Sequence, residues 1–207
     1  MHFVMGEASQ TNAARVSSRV MSAILDVPEI RASVHLWTVA DYRMLAEDNP
    51  AFDHSELIRG IILARQMKTP LHNFMVGRVA RIFRQNTCEE QLVRQEMSLL
   101  LNDSIPEPDV AVVRGVEDDF RFVHPATAEL VVEVAVTSLA ADREKAALYA
   151  EAGVKEYWIV LAEVERVEVY RRPESGAYLD KRTYQRGEVI EVVGVTGRDV
   201  AVDSLFT

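Results

Sequence analysis

A chain of 207 residues with 48% hydrophobic residues is long enough to bury the core of one domain, or of one domain and an extension, which excludes a mainly disordered protein. Its formal net charge of −9 is atypical of proteins that coat nucleic acid through bulk electrostatics, although it leaves room for a local basic surface. The single cysteine, Cys88, excludes an intramolecular disulfide and a zinc site built from cysteines.

The N-terminal part of the sequence is predicted to be an extension over residues 1–35, followed by a domain over residues 36–207. Apolar side chains at helical spacing predict an arm helix within the extension: Val16, Val20, Ile24 and Val27. The extension lacks the continuous apolar core and cleavage site of a signal peptide, and no apolar run in the chain reaches the ~18 residues of a membrane helix. We therefore expect a cytoplasmic protein with no membrane partner.

The domain alternates helical and extended patterns in a defined order. Thr38 is a suitable N-cap for a short helix through Leu45. The predicted elements after it are a strand over 56–64, a helix over 71–84, strands over 91–101, 109–114 and 130–136, a helix over 142–152, a strand over 157–161, and strands near 166–171, 177–184 and 188–193. A strand, a helix and another strand imply a right-handed parallel crossover, and the final strands imply an antiparallel meander. The fold class is therefore α/β or α+β, with a mixed sheet.

Two acidic residues stand out within this pattern. Glu133 lies in the middle of the apolar strand LVVEVAV, and burying an unpaired carboxylate costs several kcal/mol, on the order expected for an ion in a protein interior, unless a partner compensates it. Asp109 begins the preceding strand directly after Pro108, although an acid there is also common in turns. Two carboxylates and a backbone carbonyl form half of a magnesium coordination shell. The pair therefore indicates a metal site.

Lys145 is a basic residue that the predicted fold brings close to these acids. On a helix that begins at Asp142, a step of 100° per residue places Lys145 on the face of Leu148, Tyr149 and Ala152, which must pack on the sheet. The alternative interpretation is a buried stem whose ammonium reaches water. Because this helix follows the strand of Glu133, the two side chains can converge within salt-bridge distance.

Other polar residues are weaker candidates. His72 lies on the inner face of its helix, where it is either a site residue or a hydrogen-bonded core histidine. Glu56 begins its strand and is either a further acid or a solvated strand end. Arg78, Arg81 and Arg84 lie on the opposite side of the His72 helix, where they either contact phosphates or form an ordinary charged surface.

Glycine-rich phosphate loops and a GxSxG nucleophile motif are absent from the sequence, which argues against nucleotide-cofactor enzymes and serine hydrolases.

These residues belong to motifs that resemble the Uma-type restriction endonuclease family, a bacterial family with the PD-(D/E)xK nuclease fold. The similarity extends from about Trp37 to Phe206. The motifs that carry it are WTVADYRML, ELIRG at 56–60, His72, PEPDVAVV at 106–113, VVEV at 131–134, Asp142, Lys145, YAEAGVKEYWIV at 149–160, and VEVYR. Two positions depart from the family pattern: Ile61 replaces a frequent acid, and Val136-Thr137-Ser138 replaces a common Ser-Pro-Ser.

The resemblance implies roles for the candidate residues. Asp109 and Glu133 would bind Mg²⁺, for which Mn²⁺ can substitute, and Lys145 would take the lysine role from a helix, since Ala135 occupies the usual lysine position. Glu56 and His72 would be further polar residues of the site. The implied function is hydrolysis of DNA phosphodiester bonds. Because cutting both strands often uses two sites, we also expect a homodimer, in which the apolar positions of residues 15–27 could serve as an exchanged arm. The alternative is a non-catalytic dimeric binding or scaffold module with the same fold.

Overall fold

The structure of the protein is a computed structural model, which describes residues 26–47, 49–65, 67–195 and 199–207. The chain divides into two units, residues 1–36 and residues 37–207. In the first unit, helix α1 (Pro28–Ala32) is described, and most of the predicted arm helix lies outside the described residues. The second unit contains all the elements that follow.

The second unit begins with helix α2 (Val39–Ala46), where Thr38 is the N-cap that the sequence predicts and forms a capping box with Asp41. The next elements are strands β1 (Ser55–Ile58) and β2 (Ile61–Ala64), helix α3 (Pro70–Arg84), strands β3 (Gln91–Gln95), β4 (Val110–Arg114) and β5 (Leu130–Ala135), helix α4 (Leu139–Glu151), strands β6 (Glu156–Leu161), β7 (Arg166–Glu174), β8 (Ala177–Gln185), β9 (Val189–Ile190) and β10 (Val200–Ala201), and helix α5 (Val202–Phe206). No helix among the described residues is long and apolar enough to cross a membrane.

A six-stranded mixed sheet forms the centre of this unit, in the order β3-β4-β5-β6-β7-β8. Strands β5 and β6 are parallel and are joined by α4, whereas the other neighbouring pairs are antiparallel. Gly153, with φ of 72°, follows the end of α4 and turns the chain into β6. The predicted mixed sheet, the parallel crossover and the antiparallel C-terminal strands are confirmed.

Apolar side chains cover both faces of the sheet. Helix α3 packs on one face, where Phe83 lies edge-on to Trp158 with ring centroids 5.5 Å apart. Helix α4 packs on the other face through Leu148 and Tyr149. Because β5 is buried along its whole length between these layers, its only ionisable side chain, Glu133, is buried as well.

Three predicted strands differ from the structure. Residues 56–64 form a hairpin instead of one strand, because Arg59 and Gly60 have φ of 49° and 77° and reverse the chain. The strand predicted over 91–101 ends at Gln95, because Glu96 has φ of 54°. The strand predicted over 188–193 is shorter, and it pairs with β10 instead of joining the large sheet.

Candidate active site

A cavity of about 560 Å³ lies between the β1-β2 hairpin, the beginning of α3, and the ends of β4 and β5 that face α4. It collects the five residues that the sequence singles out for chemistry: Glu56, His72, Asp109, Glu133 and Lys145. These residues come from five different elements or their flanking loops, so their convergence is a property of the fold and not of one local motif.

Glu133 occupies the buried end of the cavity, with 4% of its surface exposed. Its Oε1 accepts hydrogen bonds from the Tyr149 hydroxyl at 2.9 Å and the Lys145 ammonium at 3.3 Å. Its Oε2 accepts one from the backbone N–H of Asp109 at 3.2 Å. Burial raises the pKa of Glu133 to about 8, Lys145 opposes this shift, and nearby carboxylates add to it. Lys145 therefore offsets only part of the effect of burying this carboxyl group.

Asp109 lies beside Glu133 and is held by three groups. Its Oδ2 contacts Nε2 of His72 at 3.0 Å and accepts the backbone N–H of Val134 at 2.8 Å, and its Oδ1 is 3.5 Å from the Lys68 ammonium. Burial alone would raise the pKa of Asp109, but the hydrogen bond and charge of His72 lower it, with help from Val134 and Lys68. Asp109 is therefore the ionised member of the carboxylate pair.

Lys145 connects the buried acid to the hairpin. Its Nζ lies 3.0 Å from Oε1 of Glu56 and 3.3 Å from Oε1 of Glu133, and 13% of its side chain is exposed. Burial by itself would lower the pKa of Lys145, but the charges of Glu133 and Glu56 raise it, so the ammonium is retained. The interpretation of Lys145 as a stem that extends its ammonium into bulk water is wrong, because Nζ is directed between two carboxylates.

Comparison with known proteins places this arrangement in a family. Residues 39–203 match the model of the Uma2 family, whose description is "Putative restriction endonuclease". This chain belongs to the Uma2 family. A crystal structure from Anabaena variabilis, described as "a putative nuclease belonging to DUF820", has a similar fold, with a TM-score of 0.65 and 15% sequence identity over 73% of this chain and 89% of that chain. A search of curated proteins returned no match.

Membership of the Uma2 family confirms the resemblance that the motifs indicate, and the solved structure confirms the nuclease-like fold. The matched region contains all five candidate residues of the cavity and the three arginines of α3. The chain is thus nuclease-like in family and fold, and its own geometry must support any more specific role.

Three residues at this Uma2 site were missed as site residues by sequence reasoning: Lys68 and Asp142 line the cavity, and Tyr149 contacts Glu133 without lining it. Tyr149 was assigned only to the packed face of α4, although its hydroxyl contacts Glu133. Asp142 is 5% exposed, accepts a hydrogen bond from Ser138 and has a pKa raised by burial. Lys68 precedes α3 in a loop, where no periodicity could indicate its approach to Asp109.

The three arginines of α3 lie outside the cavity. Arg81 and Arg84 are exposed, and Arg84 donates to the Gln95 side chain at 3.2 Å. Arg78 is partly buried, with its guanidinium carbon 5.0 Å from the centroid of the Phe74 ring. Arg81 is therefore the best placed of the three for contact with a phosphate from solvent.

The polar groups of the cavity fit a divalent cation with oxygen ligands. Asp109 and Glu133 offer adjacent carboxylates, and a cation bound there would offset the burial and the neighbouring carboxylates that raise the pKa of Glu133. Nδ1 of His72 is buried, and no group among the described residues satisfies it with a well-formed hydrogen bond. Within the described ranges, no group of three or more His, Cys, Asp or Glu side chains is arranged to hold a metal ion alone. Water and phosphate oxygens would therefore complete the shell.

Proposed function

We propose that the protein is a divalent-metal-dependent endonuclease that hydrolyses DNA phosphodiester bonds. The observation that carries the proposal is the contact of the Lys145 ammonium with buried Glu133, directly beside Asp109, in an accessible cavity. A structural ion pair would not need a second buried carboxylate and a cavity of about 560 Å³ at the same place. Membership of a family described as restriction endonucleases supports the same reaction class.

Asp109 and Glu133 would hold Mg²⁺ or Mn²⁺. The bound ion would supply electrostatic polarisation of a phosphate oxygen and a lower pKa for water at the site. Lys145 orients the attacking water and stabilises the negative charge that develops on the phosphate, because its Nζ lies on the cavity side of Glu133. His72 fixes the orientation of Asp109 through the contact to Oδ2. Glu56 holds Lys145 in place from the hairpin.

The experiment that tests this function is cleavage of plasmid and oligonucleotide DNA with Mg²⁺, Mn²⁺ or EDTA. We expect cleavage by the native protein only with metal, and a large loss in Asp109→Asn. The matched control is Asp180→Asn, because Asp180 is an exposed acid on β8 that pairs with Arg172. Metal binding without cleavage of any DNA would instead support the non-catalytic binding or scaffold module.

The proposal includes a homodimer in the cytoplasm, since two copies of one active site can cut the two strands of a duplex. Residues 15–27 would act as an exchanged arm between the copies. Light scattering on the full-length chain and on residues 36–207 tests this assembly. A dimer that is lost on truncation is the expected result, and a monomer in both cases would exclude the arm.

A further inference from the structure

Arg94 is a buried cation without an anionic partner among the residues that the structure describes. Only 7% of the residue is exposed, and no carboxylate of the described residues influences its pKa. Its Nε is buried and makes no hydrogen bond, and its Nη2 reaches only the Ser98 carbonyl, at 3.5 Å. Its guanidinium carbon lies 5.4 Å from the centroid of the Phe120 ring, a contact that adds packing but no negative charge.

Such a residue is costly in the folded protein. A buried charge loses its hydration, and without a paired anion little repays that loss. Burial accordingly lowers the pKa of the Arg94 guanidinium, although arginine remains protonated. Every other buried charged side chain among the described residues has at least one hydrogen-bond or ionic partner within 3.3 Å, as the shortest contacts of Glu56, Asp109, Glu133, Asp142, Glu156 and Glu168 show. Arg94 is therefore the exception.

Two further basic residues, Arg43 and His124, interact electrostatically with this region. Burial lowers the pKa of His124, and the positive charges of Arg94 and Arg43 lower it further. His124 and Arg43 are both exposed, so an anion can reach this neighbourhood from solvent. In a chain with a net charge of −9, the positive charges of Arg94 and Arg43 thus act on the same histidine.

We propose that Arg94, with Arg43 and His124 beside it, binds a phosphate group. The planar guanidinium offers a fork of N–H donors that matches a phosphate better than a single carboxylate oxygen. The charges of Arg94 and Arg43 both lower the pKa of His124, so they would together attract a multiply charged anion to this region. The site is separate from the catalytic cavity, whose lining does not include these residues.

Arg94 lies in the sheet close to the strand that leads to the catalytic cavity, so a phosphate bound there would lie near that cavity. Arg94 pairs with Ala111 on β4, two residues from Asp109, and Glu96 at the end of the same strand binds Lys68 of the cavity. A phosphate at Arg94 is therefore anchored on the strand next to the one that carries Asp109. The ligand is either free phosphate or a backbone phosphate of nucleic acid, and the two sources share the chemistry that Arg94 recognises.

The test measures inorganic phosphate binding by calorimetry and by the melting temperature, in EDTA and at ionic strength matched with sodium chloride. Native protein is compared with Arg94→Met, which retains the length of the stem but removes the charge. The control is Arg114→Met, because the Arg114 side chain is 67% exposed and its Nε lies 3.6 Å from Oε1 of Glu129, just before the adjacent strand β5. We expect phosphate to raise the melting temperature of native protein and of the control, and Arg94→Met to weaken its affinity on the order of 10- to 100-fold.

The same variants identify the source of the phosphate. If Arg94→Met also binds a labelled DNA duplex more weakly than native protein in EDTA, the site recognises the nucleic acid backbone. If Arg94→Met binds the duplex as native protein does, the site recognises free phosphate. Because no metal and no cleavage are involved, the result is independent of the proposed nuclease activity. Equal phosphate binding by native protein and Arg94→Met, or none by native protein, would overturn the proposal. If Arg94→Met does not fold, the double variant Arg43→Ala, His124→Ala replaces it and should bind inorganic phosphate more weakly than native protein. An unchanged phosphate affinity in the double variant would also overturn the proposal.

Discussion

The ammonium of Lys145 lies 3.3 Å from Oε1 of Glu133, although the two residues belong to different elements, the helix α4 and the strand β5. The right-handed crossover from β5 through α4 to β6 lays the helix back on the strand that it leaves, and this brings the pair together. Glu133 thus has a cationic partner from its own βαβ unit and an acidic neighbour, Asp109, from the antiparallel strand β4.

Divalent metal should stabilise the folded protein through Asp109. A ligand that binds only the folded state at about 100 times its dissociation constant adds about 2.7 kcal/mol of stability, or several degrees in melting temperature. We expect this rise with Mg²⁺ or Mn²⁺ for the native protein and for Asp180→Asn, and its near absence for Asp109→Asn. A calorimetric scan with and without metal measures it. An undiminished rise in Asp109→Asn would remove that carboxylate from the metal site.

The stability of the metal-free protein should depend on the protonation of Glu133. The pKa of Glu133 is about 8 in the folded protein and near its ordinary value of 4.5 in the unfolded chain, so the folded state retains a proton that the unfolded state releases. The proton on Glu133 therefore adds to the free energy of unfolding. This stabilisation is fully present below pH 4.5 and is lost as the pH rises through about 8. In EDTA, the native protein should therefore lose stability relative to Glu133→Gln over this range.

Chemical denaturation at a series of pH values provides the measurement for this difference. Glu129→Gln is a control, since Glu129 pairs with exposed Lys155 and lies outside the cavity. Parallel stability curves for the native protein and Glu133→Gln would show that Glu133 does not keep its proton.

Tyr149 should act as a positioning residue for Glu133. Its buried hydroxyl donates to Oε1 at 2.9 Å, and partners of this kind orient metal-binding carboxylates. Tyr149→Phe should lower metal affinity on the order of 10- to 100-fold. The control is Tyr157→Phe, because the Tyr157 hydroxyl is also buried but donates to the backbone carbonyl of Asp142.

Titration calorimetry with Mn²⁺ separates this role from a purely structural one. Both variants lose one buried hydrogen bond, so both should be destabilised by about 1 kcal/mol. Only Tyr149→Phe should also bind metal more weakly, and equal affinities in the two variants would assign Tyr149 to packing alone.

Arg81, an exposed arginine of α3, should contribute to DNA binding through a phosphate contact. Arg81→Ala should weaken binding and reduce the log-log dependence of affinity on salt by about 0.9. Arg172→Ala is the control, as Arg172 is an exposed arginine of β7 that pairs with Asp180. Binding is measured by anisotropy over a range of salt concentrations in EDTA. A slope that Arg81→Ala leaves unchanged would make this helix surface an ordinary charged face.

The sequence predicted the centre of this site because its residues violate a regular pattern. Glu133 interrupts a buried apolar strand and Lys145 interrupts the packed face of a helix, and both anomalies are visible in one dimension. The order of elements along the chain and the parallel crossover followed from the same periodicities.

Other features depend on conformations that hydrophobic periodicity does not encode. The β1-β2 hairpin requires left-handed φ angles at Arg59 and Gly60, and the end of β3 requires one at Glu96. Lys68 approaches Asp109 from a loop, and Arg94 becomes an isolated cation only when the chain around Phe120 folds over it. Such contacts bring distant segments together, so single-sequence patterns could not predict them.

The central claim is that the cavity is a hydrolytic centre in which Lys145 takes part, and manganese-dependent cleavage of plasmid DNA by Lys145→Met tests it most directly. This variant retains the stem but removes the ammonium, and Lys155→Met is its control, because Lys155 is 53% exposed and pairs with Glu129. We expect native protein and the control to cleave equally, and Lys145→Met to be slower on the order of 100- to 1000-fold while it still binds metal. Equal cleavage by all three proteins, or no cleavage by the native protein, would contradict the claim.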